Sequence, residues 1–145
     1  MAADSPHYRL ETLARREPYL KPDVDSRQLE PPERDLWKQL YGAPAELRPG
    51  FDAEDVWRRW KTRVPDEDVR PSEDAGLFLC EFIYFTGLVE YWRRGRERAP
   101  VGFLHVPGKS DEGSVRRGVR VAEALVRAMV ESGRATGMLR QAAGV

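Results

Sequence analysis

The sequence predicts a three-layer α/β/α fold with a mainly parallel sheet, carried by a single domain over residues 1–133. Three segments have helical patterns: one follows Asp52, an apolar one covers residues 75–92, and one follows Ser110. Strand-like segments lie between them, and the clearest is VGFLHV. Helices that alternate with short buried strands are typical of layered α/β domains. Residues 134–145 are expected to form a frayed tail.

The first 50 residues contain turn-forming residues, including six prolines between Pro18 and Pro49 that interrupt any long helix. The segment HYRLETLA is compatible with either a strand end or a helix start, and its periodicity does not decide between them. PPERDLWKQLYG favours a short helix that begins at the prolines and ends at Gly42.

The first clear helix is predicted to begin after Asp52, an N-cap residue, with Phe51 placed to act as a hydrophobic staple. Val56, Trp57 and Trp60 fall on one face of this helix. The following stretch, VPDEDVRPSED, is rich in turn residues, and its middle can carry a short strand.

Residues 75–92 form the most apolar segment, and its length favours a helix that is buried on several sides. Basic residues and Gly95 then mark the helix exit. The strand at residues 101–106 ends at Pro107. Ser110 is predicted to cap the last helix, whose valines keep helical spacing.

Composition excludes several classes of protein. The chain has 145 residues and a formal net charge of zero, which argues against nucleic-acid binding, although its C-terminal third is basic. No apolar run approaches the roughly 20 residues of a membrane helix. The N-terminus lacks the pattern of a signal peptide, so a cytoplasmic location is expected. One cysteine excludes an internal disulfide, and one cysteine with two histidines and no HExxH pattern gives little support for a metal site.

Cys80 is the first residue that can carry chemistry. It lies near the predicted start of a helix, whose N-terminal partial positive charge favours a nucleophilic thiolate. The competing interpretation is an inert core thiol, because free cysteine is among the most buried residues. That interpretation predicts no reaction with iodoacetamide in the folded protein.

His105 lies near the carboxyl end of the predicted strand, where sites form in open α/β sheets. A histidine there can act as a general base for a cysteine, or can be a satisfied core residue. A third group must orient the imidazole. Local pattern leaves Glu11, Glu73, Asp74 and Glu81 open for that role.

DAGLFLCEFIYFTGL followed by VGFLHVP resembles the signature of the type I pyroglutamyl peptidases, which are cysteine peptidases. The resemblance places Cys80 at the nucleophile position and His105 at the base position. YRLE resembles the strand end with the family's acidic residue, which places Glu11 in the triad. PYLKPDVD resembles a loop that helps to close the site, and the whole resemblance covers about residues 7–133.

The resemblance implies an exopeptidase that removes N-terminal pyroglutamate from peptides through an acyl-enzyme on Cys80. Phe78 and Leu79 match positions that contribute to the apolar pocket for the lactam ring. No cofactor is implied, and the implied partners are peptides that begin with pyroglutamate.

The chain also departs from the family pattern. The family's N-terminal portion, with the first strands and a Gly-Phe-Gly-Pro-Phe-like loop, has no counterpart. Lys21 matches a basic loop residue only loosely, and HVPGKSDEG replaces an HVPPLG-like turn. A sheet without its first strands exposes apolar surface, which favours association with a partner or a homo-oligomer. The alternative function is therefore a catalytically inactive remnant, or an incomplete gene model, that acts as an interaction domain.

Overall fold

The computed structural model describes residues 6–16, 19, 22–28, 38, 41–96 and 98–138. Within them, three strands precede the first of three longer helices, and two further strands separate the helices from one another. Their bounds are β1 Tyr8–Glu11, β2 Ala14–Arg15, β3 Glu46–Leu47, α1 Ala53–Arg63, β4 Val69–Ser72, α2 Leu79–Trp92, β5 Phe103–His105 and α3 Glu112–Ala135.

The main sheet has three strands in the order β4-β1-β5. β1 and β4 run parallel, with Tyr8 opposite Val69, and β5 runs antiparallel to β1, with His105 opposite Arg9. HYRLETLA therefore contributes a strand, and the turn-rich segment after α1 does carry the short strand β4. β2 and β3 form a separate antiparallel pair. The α/β class is confirmed, and the sheet in the described residues is mixed.

Helices cover both faces of the main sheet. Alternate side chains of β1 point to opposite faces, so Tyr8 and Leu10 join the core with α1 and α3. The core on the other face is built mainly from α2, with Tyr84, Phe85 and Leu88 fully buried and Phe103 of β5 packed against them. The predicted three-layer arrangement is confirmed by these two cores.

α1 begins as predicted. The Asp52 carboxylate accepts a hydrogen bond from the Asp55 N–H at 3.0 Å, which satisfies a free amide of the first turn. Phe51 is buried in the same core as Val56, as a hydrophobic staple requires. The Trp60 indole donates to the Val121 carbonyl at 2.9 Å and joins α1 to α3.

α2 begins later than predicted, at Leu79 rather than at residue 75. Gly76 and Leu77 both have positive φ angles, 91° and 39°, which a right-handed helix cannot include. The expectation of burial on several sides is wrong on one side, because Leu79 and Ile83 are 69% and 53% exposed.

α3 is capped by Asp111, and the predicted cap at Ser110 is wrong. The Asp111 carboxylate accepts bonds from both the backbone N–H and the hydroxyl of Ser114, at 3.0 and 2.6 Å. A carboxylate with two acceptor oxygens satisfies both donors at once. The helix continues to Ala135, and Met138 is buried in the core beside it.

Some sequence predictions fall on residues that the structure leaves undescribed. The predicted helix at residues 31–42 lies mostly outside the described residues, as do Lys21 and residues 139–145 of the predicted tail. Among the helices that are described, none has both the length and the apolar character needed to cross a membrane.

Candidate functional site

The site begins with the alternation of side chains along β1. Arg9 and Glu11 are two residues apart, so both side chains lie on the face of the sheet that α2 covers. His105 is directly opposite Arg9 in β5 and shares this face. The strand register therefore brings together residues that are 94 positions apart in the sequence.

Glu11 and His105 form a buried pair. The Glu11 Oε1 atom lies 2.8 Å from His105 Nδ1, and the two side chains are 0% and 9% exposed. Arg9 Nε lies 3.6 Å from the same oxygen. A buried carboxylate needs such partners, because an unpaired charge in the interior is costly. The pair is suited to orient an imidazole and to stabilise its cation.

The His105 ring is also held by aromatic packing. Its ring centroid lies 5.1 Å from that of Phe103 in an edge-on arrangement, and Phe103 lies 5.5 Å from Tyr84. Because Nδ1 is occupied by Glu11, Nε2 is the nitrogen left for proton transfer. Among the described residues, Nε2 has no hydrogen-bond partner.

Tyr84 ties α2 to the end of β1. Its buried hydroxyl donates a hydrogen bond to the Glu11 carbonyl at 2.8 Å. Burial raises the pKa of Tyr84 well above its ordinary value, and the nearby Glu11 and Glu81 charges add to this effect, so the hydroxyl remains a neutral donor. Cys80 precedes Tyr84 by four residues, which is one turn on the same face of the helix, about 6 Å along its axis.

Cys80 is the second residue of α2 and is partly exposed. It borders the buried face of the helix, between exposed Leu79 and buried Glu81. The first helical hydrogen bond runs from the Phe82 N–H to the Phe78 carbonyl at 3.0 Å. The Leu79, Cys80 and Glu81 amides donate to no backbone carbonyl of the described residues. Within the described part of the chain, the thiol has no hydrogen bond with His105 or any other group. The placement suits a nucleophile beside anion-stabilising amides.

Of the four acids that the sequence left open, the structure brings only Glu11 to His105. Glu73 is exposed and pairs with Arg48 at 2.6 Å. Asp74 accepts a hydrogen bond from the Gly76 N–H in the turn before α2. Glu81 is fully buried, and it accepts from the Arg15 N–H at 2.5 Å.

Phe78 and Leu79 directly precede Cys80, and neither lines a cleft found among the described residues. Phe78 is the half-buried N-cap residue of α2, and Leu79 is largely exposed. Two clefts among the described residues, of about 260 and 480 Å³, lie beside α1 and beside α3, and neither includes Phe78 or Leu79. The described residues contain no cluster of side chains that could hold a metal ion.

Two residues of the site were not singled out from the sequence. The signal for Arg9 was its position two residues before Glu11 in a strand, which places both side chains on one face. The signal for Tyr84 was its position four residues after Cys80 in a helix. Neither signal could be used without knowing that β1 pairs with β5 and that α2 packs on the same face of the sheet.

Comparisons with known proteins agree on one group of enzymes. The chain is 33% identical to the pyroglutamyl-peptidase 1 of Rattus norvegicus over 101 residues, which are 70% of this chain and 43% of that protein. It is 38% identical to the Homo sapiens pyroglutamyl-peptidase 1 over 64 residues, which are 44% of this chain and 28% of that protein. The chain thus spans less than half the length of these curated relatives. No family model matches it.

Solved structures extend the similarity to the fold. The pyrrolidone carboxyl peptidase of Thermus thermophilus matches with a TM-score of 0.59 and 30% identity, over 91% of this chain and 66% of that one. The pyrrolidone carboxyl peptidase of Pyrococcus furiosus matches with a TM-score of 0.64 and 17% identity, over 88% and 64% of the two chains. The second match concerns the fold alone.

Proposed function

Because this chain belongs to the type I pyroglutamyl peptidase family, we propose that it is a cysteine exopeptidase that removes N-terminal pyroglutamate from peptides. The observation that carries the proposal is the buried Glu11–His105 pair, at 2.8 Å, at the end of the strand that Tyr84 links to the Cys80 helix. A nucleophile, a base and a group that orients the base are the parts that this chemistry needs.

In the proposed reaction, the Cys80 thiol gives its proton to His105 Nε2, and the thiolate attacks the carbonyl carbon of the pyroglutamyl residue. The carbonyl oxygen becomes an oxyanion, for which the free amides in the first turn of α2 are donors. The C–N bond then breaks, and the imidazolium protonates the leaving amine. Water, deprotonated by His105, hydrolyses the thioester and releases pyroglutamate.

Glu11 acts on His105 in this scheme. Its carboxylate accepts a hydrogen bond from Nδ1–H, which leaves Nε2 free to take the thiol proton, and its charge stabilises the imidazolium. Phe78 and Leu79 are proposed to contact the lactam ring, and the exposed surface of Leu79 beside Cys80 supports this role. The proposal involves no cofactor.

The extent and location of the protein are part of the same proposal. We propose that residues 1–133 form one domain, and we note that α3 and buried Met138 extend beyond that boundary. We also propose a cytoplasmic location, because a nucleophilic thiol has to stay reduced in order to react.

The test is release of a fluorescent amine from a pyroglutamyl amide by the purified chain. We expect turnover by the parent protein and none by Cys80→Ala, while Glu123→Gln on the exposed side of α3 retains full activity. Both variants would be checked for folding by circular dichroism. A folded parent protein without turnover would contradict the proposal and favour the alternative, a catalytically inactive remnant that acts as an interaction domain.

A further inference from the structure

Glu81 is a buried acid next to the nucleophile position, and the proposed mechanism does not use it. Its side chain is 0% exposed. One oxygen accepts the Arg15 N–H, and the other has no partner among the described residues. Burial raises the pKa of Glu81, and the hydrogen bond from the Arg15 amide opposes that rise. An apolar side chain of similar size would avoid this desolvation, so the carboxylate calls for an explanation.

The hydrogen bond of Glu81 connects two parts of the candidate site. Arg15 lies four residues after Glu11, in the segment that leaves the end of β1 and forms β2. Glu81 follows Cys80 directly in α2. The bond therefore holds the segment after Glu11 against the first turn of α2.

Tyr84 supplies a second connection of the same kind, one turn further along α2. Its hydroxyl donates to the Glu11 carbonyl at 2.8 Å. Two side chains of α2 thus bind backbone atoms on either side of the β1 terminus, one as a donor and one as an acceptor. Two connections determine the position and the rotation of a helix end more closely than one does.

We propose that Glu81 is a positioning residue, whose side-chain oxygen holds the Arg15 amide and thereby fixes Cys80 relative to the Glu11–His105 pair. This inference deepens the proposed function and rests on it. The charged and titratable groups that act on Glu81 are Arg15 on β2 and Asp74 before α2, and Glu81 in turn acts on the Tyr84 hydroxyl within α2.

Two substitutions separate the acceptor role from simple filling of space. Glu81→Gln keeps a carbonyl oxygen for the Arg15 N–H, and Glu81→Met keeps a similar volume without any oxygen. The first readout is the rate at which iodoacetamide alkylates Cys80 between pH 5 and 9, which needs no turnover. The second readout is kcat and KM for the pyroglutamyl amide.

We expect Glu81→Gln to retain the parent protein's alkylation profile and kcat. In Glu81→Met, kcat should fall by roughly 10- to 100-fold with KM unchanged, as small displacements of reacting groups do. The rate of Cys80 alkylation should also change by roughly 10-fold, because the thiol moves out of the position that the Glu81–Arg15 connection holds. A folded Glu81→Met protein with the parent's kcat and alkylation profile would overturn the inference.

A third measurement does not depend on whether Glu81→Met folds. In the parent protein, hydrogen exchange followed by NMR should be slow at the Arg15 amide, because that amide is donated to Glu81. Exchange at the rate of an exposed amide would also overturn the inference. Absence of turnover by the parent protein, by contrast, would contradict the proposed function, while the alkylation and exchange results would still report on the connection itself.

Discussion

Glu11 combines full burial with contacts through both its side chain and its backbone carbonyl. It is fully buried, its Oε1 atom contacts His105 and lies 3.6 Å from Arg9, and its Oε2 atom has no partner within the described part of the chain. Its backbone carbonyl accepts the Tyr84 hydroxyl. Glu11 therefore acts on His105 through its side-chain charge and on α2 through its backbone carbonyl. A side-chain substitution changes the first interaction and leaves the second in place.

Glu11→Gln should keep an oxygen near His105 Nδ1 and remove the negative charge. We expect kcat to fall on the order of 10²- to 10⁴-fold, because the imidazolium formed during the reaction loses its counter-ion. The measurement is kcat for a pyroglutamyl amide, with the far-ultraviolet circular dichroism spectrum as a check of folding. Unchanged kcat in a folded Glu11→Gln protein would remove Glu11 from the proposed triad.

Tyr84→Phe should cost about 1 kcal/mol of stability, because the buried Glu11 carbonyl loses the hydroxyl that it accepts. The free energy of unfolding would be measured by urea denaturation. Tyr91→Phe is the matched control on the same helix, since the Tyr91 hydroxyl makes no hydrogen bond with the described residues. Equal losses in the two variants would mean that the bond to Glu11 contributes nothing specific.

At the scale of elements, α1 and α3 are joined both inside the core and at its rim. The Trp60 indole donates to the Val121 carbonyl in the interior. At the rim, Arg63 of α1 binds Glu131 of α3, and Arg59 pairs with Asp55 at 2.8 Å along α1. Asp55 and Glu131 therefore lie together at the rim between α1 and α3, and both are acids that titrate.

The acids at this edge make stability depend on pH. The hydrogen bond from Arg59 lowers the pKa of Asp55, and the hydrogen bond from Arg63 lowers the pKa of Glu131. A lowered folded-state pKa adds stability above the unfolded-state pKa, and this contribution is lost as pH falls through the folded-state value. We therefore expect stability to decline below about pH 4.5.

Urea unfolding midpoints between pH 3 and 7 would measure this decline. Glu131→Gln should reduce its steepness, because one of the protons whose uptake is linked to unfolding is then removed. The effect should also weaken in high salt, since these side chains are partly exposed and screened. A midpoint that stays constant from pH 3 to 6 would contradict the expectation.

The whole molecule presents apolar surface on both outer layers. Val119 and Val126 of α3 are 63% and 60% exposed, and Leu79 and Ile83 of α2 are exposed on the opposite layer. Part of the α3 surface belongs to a cleft of about 480 Å³ beside β5. In the main sheet, β5 pairs with only one neighbour, so its other edge is open among the described residues. Such surfaces favour association.

We expect the purified chain to associate as its concentration rises, and Val126→Lys to reduce that association by placing a charge on the exposed apolar stripe of α3. Sedimentation velocity over a range of concentrations would measure both. Arg127→Lys, a neighbouring exposed substitution that leaves the apolar surface intact, serves as the control. A parent chain that is monomeric at every concentration would contradict the expectation.

Local sequence patterns were sufficient to predict the three long helices and the strand β5. The cap at Asp52, the helix exit at Gly95, the strand before Pro107 and the long helix after it all follow from interactions within a few residues. The late start of α2 was missed because it depends on positive φ angles at Gly76 and Leu77, which apolar periodicity does not register. The motifs around Cys80 and His105 pointed to the chemistry for the same local reason.

The sequence by itself determined the three long helices, the strands β4 and β5 between them, and the residues with reactive side chains. Only the tertiary structure decided which acid meets His105. Glu11, Glu73, Asp74 and Glu81 are similar by local pattern, yet strand register brings just one of them within 2.8 Å of the ring. The physical reason is that helices and caps are stabilised by neighbours in sequence, whereas a buried ion pair across 94 residues exists only once strands have paired.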